Sequence, residues 1–125
     1  MKKAKVLIID DEQELVTALT ERLNLRGYDA SGVVSLSEAI NFIKQIPDVI
    51  ILDIGLQDTD GLEVLKRIKE INPSIQVIML SGYGDTERIN KSLQSGAFDY
   101  LIKPVDIEDL VSKIDSAKLK KEESI

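Results

Sequence analysis

Asp10, Asp11, Asp53, Ser81 and Lys103 each stand just beyond a short apolar run. Val6-Leu7-Ile8-Ile9 leads into Asp10-Asp11-Glu12, and Val49-Ile50-Ile51-Leu52 leads into Asp53. Val77-Ile78-Met79-Leu80 leads into Ser81-Gly82, and Tyr100-Leu101-Ile102 leads into Lys103-Pro104. Carboxylate oxygens are the hard ligands that a divalent cation prefers. A carboxylate is also an oxygen nucleophile, and an ammonium and a hydroxyl can neutralise and orient a phosphoryl group. These residues meet only if the runs are neighbouring parallel strands, whose C-terminal ends share one sheet edge.

Helical periodicity fills the intervals between the runs. Leu15, Ala18, Leu19 and Leu23 predict a first helix, with Gly27 at its C-terminal end. Leu36, Ala39, Ile40 and Ile43 predict a second, with Ser35 or Ser37 as N-cap and Pro47 beyond its end. Leu62, Leu65, Ile68 and Ile71 predict a third, stopped by Asn72-Pro73. A fourth spans about Asp85 to Gln94 with Ile89 and Leu93, and a fifth spans about Ile107 to Lys118 with Leu110, Val111, Ile114 and Ala117. A weaker strand near Tyr28 to Val34 falls between the first two helices. Strand and helix therefore alternate five times. That alternation implies an α/β fold, a parallel sheet with helices on both faces, and the uninterrupted apolar strands fit burial on both sides.

A chain of 125 residues suggests a single domain, large enough to bury its own core. Cysteine and histidine are both absent, which removes disulfides, thiolate or imidazole metal sites, and any histidine base. The net charge of −6 argues against direct nucleic-acid binding by this chain alone. The opening Met1-Lys2-Lys3-Ala4 precedes too short an apolar run for a signal peptide or a membrane span, so a cytoplasmic protein is expected. Residues 120–125 are expected to form a polar tail, either frayed helix or the start of a linker.

Taken singly, each motif has an ordinary explanation. Acids after a strand often cap the next helix, Asp53 and Ser81-Gly82 could be turn residues, and Tyr100 could simply pack. Such readings leave the coincidence at four strand exits without a cause. Competing motifs fail: Gly82-Tyr83-Gly84 lacks the third glycine of a dinucleotide loop, where Glu87 stands instead. Asp58-Thr59-Asp60-Gly61 would begin a calcium loop at Leu56 and end it at Arg67, neither of which is a carboxylate.

With Asp10-Asp11, Asp53, the Asp60-Gly61 turn, Ser81-Gly82, Tyr100 and Lys103-Pro104 in this order, the chain resembles a response-regulator receiver domain. The resemblance covers residues 1–119. It implies a flavodoxin-like, doubly wound sheet of strand order 2-1-3-4-5 with five helices. It also implies a two-component signalling switch rather than an enzyme of turnover. Asp53 would be the phosphoacceptor, served by a sensor histidine kinase or a phosphotransfer protein. Asp11 would bind magnesium directly, or manganese in its place, Asp10 mainly through water, and Asp53 and the Gly55 carbonyl would complete the protein's share. Lys103 would pair with the phosphoryl group or, before it arrives, with Asp53. Ser81 would donate to a phosphoryl oxygen, and the rotamer of Tyr100 would report the state. The output face would be the fourth helix, fifth strand and fifth helix, around Arg88, Lys91, Ser95 and Tyr100, engaging an effector domain or a second copy.

One departure stands out. Many members of the family carry proline four residues after the phosphoacceptor, and this chain has Gln57. The resemblance implies that Gly55 and Tyr83 occupy the positions that flank the path of attacking water. Gly55 has no side chain to shield the phosphoryl group, and Tyr83 is expected to cover the path. Two rival readings are an aspartyl phosphatase of the haloacid-dehalogenase type and a phosphorylation-independent interaction module. The first places its nucleophile after the first strand and needs a cap domain, and the second needs no intact acceptor.

Overall fold

In the computed structural model, residues 3–57 and 59–123 are described. The calcium-loop reading at Asp58 and the last two residues of the expected tail lie outside them. Ten elements alternate along the chain: β1 (Lys5–Ile9), α1 (Gln13–Leu25), β2 (Asp29–Val33), α2 (Leu36–Ile43), β3 (Val49–Asp53), α3 (Gly61–Ile71), β4 (Gln76–Ser81), α4 (Thr86–Gln94), β5 (Asp99–Ile102) and α5 (Ile107–Glu123). The strands form one parallel sheet in the order β2-β1-β3-β4-β5, as the resemblance implies.

Both faces of the sheet are buried. Val6, Ile8, Ile51 and Leu80 pack on one side with Leu19 and Leu23 of α1 and Ile114 of α5. Their strand neighbours Leu7, Ile9, Ile50 and Leu52 point the other way, onto Ala39 and Ile43 of α2 and Leu65 and Ile68 of α3. This alternation is why the strand sequences are apolar throughout. Each fully buried Leu or Ile contributes about 2 kcal/mol of transfer free energy.

Local chemistry sets the ends. Ser35, not Ser37, caps α2, accepting from the Glu38 N–H, and Asp60 caps α3 by accepting from the Leu62 N–H. Gly27 closes α1 at φ +93, a conformation that costs glycine nothing. Gly61 is required by proximity, since a Cβ there would lie 2.5 Å from the Asp53 carbonyl oxygen. Its absence lets the start of α3 press against the end of β3.

Two expectations are corrected. Ile40 and Ile71 lie outside the buried stripes, 49% and 65% exposed, because α2 and α3 meet the sheet along the narrower lines of Ala39–Ile43 and Val64–Leu65–Ile68. Of the two forms expected for the tail, the chain takes the helical one as far as Glu123. Its added turns are fastened by Lys121 to Asp48 at 2.6 Å and by the i,i+4 pair Lys118–Glu122.

Candidate functional site at the C-terminal edge of the sheet

The strand register assembles the site. Ile9 of β1 is level with Leu52 of β3, so Asp10 emerges beside Asp53. Asp53 is level with Leu80, and Ser81 with Ile102, so Ser81 and then Lys103 follow along the same edge. The Lys103 N–H donates to the Ser81 carbonyl at 2.8 Å and ties the last two exits together.

Asp10, Asp11 and Asp53 each place a carboxylate oxygen within 4.8 Å of the others. Asp10 is fully buried, Asp53 nearly so, and Asp11 half-buried. A main-chain amide holds each of them. The Glu12 N–H donates to Asp10 Oδ1 at 2.9 Å, the Gly55 N–H to Asp53 Oδ1 at 3.0 Å, and the Gln57 N–H to Asp11 Oδ2 at 3.1 Å.

Lys103 lies among these acids. Its Nζ is 2.9 Å from Asp10 Oδ2, 3.0 Å from Glu12 Oε1 and 3.5 Å from Asp53 Oδ2. The expected partner, Asp53, is thus the most distant of the three. Glu12, which directly follows the two aspartates, is a partner that the sequence pattern does not single out. The ammonium meets Asp10 Oδ2 as an ion pair, off the line of a hydrogen bond, so this buried oxygen has no aligned donor. Burial alone would lower the Lys103 pKa, but Asp10, Glu12 and Asp53 outweigh it and hold the ammonium well above its ordinary value. Burial raises the Asp10 carboxyl above the usual carboxylate range, and the Asp53 charge adds to that rise. The Glu12 N–H and Lys103 oppose it without cancelling it.

These donors fit a hard divalent cation. They are all oxygens, they crowd like charges together, and one buried oxygen lacks an aligned donor.

Residues 6–115 match the family described as response regulator receiver domain. The chain belongs to the response-regulator receiver family. This receiver is 34% identical over 111 residues to sporulation initiation phosphotransferase F of Bacillus subtilis (strain 168), spanning 88% of this chain and 90% of that one. It is 33% identical over 113 residues to transcriptional regulatory protein ZraR of Escherichia coli (strain K12), covering 90% of this chain and 26% of ZraR. The chain therefore spans about a quarter of that relative. A crystal structure of a response regulator receiver domain protein from Clostridium thermocellum superposes with a TM-score of 0.92 at 32% identity, covering 98% of this chain and 99% of that one.

The remaining residues of the receiver are placed as follows. Ser81 Oγ is fully buried and donates to the Gly82 carbonyl at 3.0 Å and to Asp85 Oδ2 at 3.3 Å. It is engaged with its own loop. Tyr100 is 37% exposed, with the Lys113 ammonium 5.9 Å from its ring centroid. Tyr83 does not cover the site, because its side chain is 97% exposed and stands in solvent between Gly82 and Gly84. Arg88 is also placed differently from expectation. It turns away from the output face and donates to the Ile54 carbonyl at 2.6 Å and to Asp60 Oδ1 at 2.7 Å. Arg88 holds the Asp60 carboxyl below the usual carboxylate range, with the Leu62 N–H adding to the effect. This contact joins α4 to the loop that follows Asp53.

Proposed function

We propose that this receiver accepts a phosphoryl group on Asp53 from a phosphohistidine of a sensor kinase or phosphotransfer protein. The observation that carries the reading is the convergence of Asp10, Asp11 and Asp53 around one lysine at the exits of adjacent strands. The chain has no histidine and cannot be its own donor. A carboxylate oxygen of Asp53 attacks phosphorus in line, a P–O bond forms, and the P–N bond breaks as the imidazole nitrogen takes the electron pair. Asp11, Asp53, the Gly55 carbonyl and, more remotely, Asp10 would hold magnesium. When bound, magnesium neutralises the crowded acids and the phosphoryl oxygens.

Lys103 is already charged and within reach of Asp53, so it pairs with the new phosphoryl oxygens with little movement. Ser81 exchanges its bonds to Gly82 and Asp85 for a phosphoryl oxygen, which displaces the β4–α4 loop. Tyr100 then turns inward, and the α4–β5–α5 face changes shape for an effector domain or a second copy. The phosphoryl group biases two arrangements of the same chain. Gly55 leaves the path of attacking water open, and Tyr83 reaches that path only if its loop closes about Gly82 and Gly84.

Acetyl phosphate with magnesium tests the reading. The parent should gain one phosphoryl group by mass, and Asp53→Asn should gain none. Equal incorporation by the two proteins would defeat the assignment.

A further inference from the structure

The three acids are held by amides of different origin. Asp10 accepts from Glu12 and Asp53 from Gly55, each two residues further along the same loop. Asp11 accepts from Gln57, which belongs to the loop after β3, while Asp11 belongs to the loop after β1. The first two bonds form wherever their own turns form. The third forms only when two separate loops are in place. It is also the only one of the three whose donor lies where the family resemblance expects proline, which has no N–H to give.

We propose that the Gln57 main-chain N–H fixes Asp11 in the orientation that takes magnesium, so that the residue at position 57 sets the metal affinity of this receiver. The inference rests on reading the three acids as a magnesium site. A carboxylate has about four lone-pair positions, and one amide bond leaves the others free for a cation. Magnesium demands near-octahedral geometry and gives up water reluctantly, so an acid that must first be oriented binds it less well. Asp11 is the half-buried member of the three and has the most freedom to lose. Hydrogen bonds from outer groups to ligating carboxylates are commonly worth ten- to a hundredfold in affinity.

Two variants at one position separate backbone from side chain. Gln57→Ala keeps the N–H, and Gln57→Pro removes it. Affinity is read from the rise in melting midpoint as magnesium is titrated into unphosphorylated protein. We expect Gln57→Ala to stay within about twofold of the parent and Gln57→Pro to bind about tenfold more weakly. Equal or tighter binding by Gln57→Pro overturns the inference and leaves the metal site standing. A parent that does not respond to magnesium overturns both, which tells the two failures apart. Hydrogen exchange on the parent keeps the question decidable if Gln57→Pro does not fold. The Gln57 amide should be protected at least tenfold with and without magnesium, and exchange at the free-chain rate in both conditions overturns the inference.

Discussion

Asp48 and Asp10 are both buried or half-buried aspartates beside a lysine, at opposite edges of one sheet. Asp48 precedes β3. Its Oδ1 lies 2.6 Å from Lys121 Nζ, and its Oδ2 accepts from the Lys5 N–H at 2.8 Å. Burial alone would raise its pKa, but Lys121 and the Lys5 N–H outweigh burial and hold the carboxyl below the usual range. Asp10 ends above that range, with burial dominant. The difference is the number of acids each lysine serves. Lys121 is paired with Asp48, whereas Lys103 is divided among Asp10, Glu12 and Asp53, with Asp11 in the same cluster. Two like charges 4 Å apart repel by about 4 kcal/mol at an effective dielectric of 20. A saturated pair fastens the fold. An over-subscribed lysine leaves a reserve of negative charge, which the proposed magnesium would neutralise.

Magnesium gives the largest expected effect at one edge and none at the other. At a concentration 100 times its dissociation constant it should stabilise the parent by about 2.7 kcal/mol, measured by urea unfolding. Asp11→Ala should lose most of that increment. Asp48→Ala should keep it in full, since distant sites act additively. An increment that fell in Asp48→Ala would break the separation of the two edges.

Asp48→Ala should itself cost about 2 kcal/mol, because it leaves the Lys121 ammonium and the Lys5 N–H without their partner. The folded pKa of Asp48 is lowered, so its contribution is present above the ordinary carboxylate value near 3.9 and is lost as pH falls through the folded value. The stability gap between parent and variant should hold steady from about pH 7 to pH 5 and close in acid. A gap that persisted unchanged below about pH 2 would show that packing, not the charge, carries the effect.

The strands and the chemistry at their exits were legible in the sequence. Burial on both faces makes a strand uniformly apolar, and a parallel sheet brings the next residue of every such strand to one edge. What stayed hidden depends on reach between segments far apart in the chain. Glu12 shares Lys103, Gln57 meets Asp11 through its backbone, and Arg88 bends from α4 to Ile54 and Asp60. Periodicity reports which face of a helix is buried and is silent on where a long charged side chain ends. The last turns of α5 are left undecided between helix and linker by the sequence for the same reason. Lys118 to Glu123 read as polar, and their support is the aspartate before β3.

Asp10→Asn should act with the opposite sign to Asp48→Ala. The amide retains an oxygen for the Glu12 N–H and removes one of the crowded charges. Without magnesium the variant should be about 1 kcal/mol more stable than the parent, near 3 °C in melting midpoint. A destabilised variant would make Asp10 a structural partner of Lys103, equivalent to Asp48 beside Lys121.

The smallest effect belongs to Glu12, which tests whether the crowding extends to the rim. Its side chain is 61% exposed, and its bond to the 20% exposed Lys103 is 3.0 Å long. Exposed ion pairs are screened by water and by salt, and their net worth is commonly below 1 kcal/mol. Losing this pair is offset by relief of repulsion from Asp10 and Asp53, since Lys103 then serves fewer acids. Glu12→Gln should therefore change magnesium-free stability by less than about 0.5 kcal/mol, and the difference should vanish in 1 M sodium chloride, where the screening length is about 3 Å. A cost above about 1 kcal/mol that survives high salt would place Glu12 with the structural acids and restrict the charge reserve to the three aspartates.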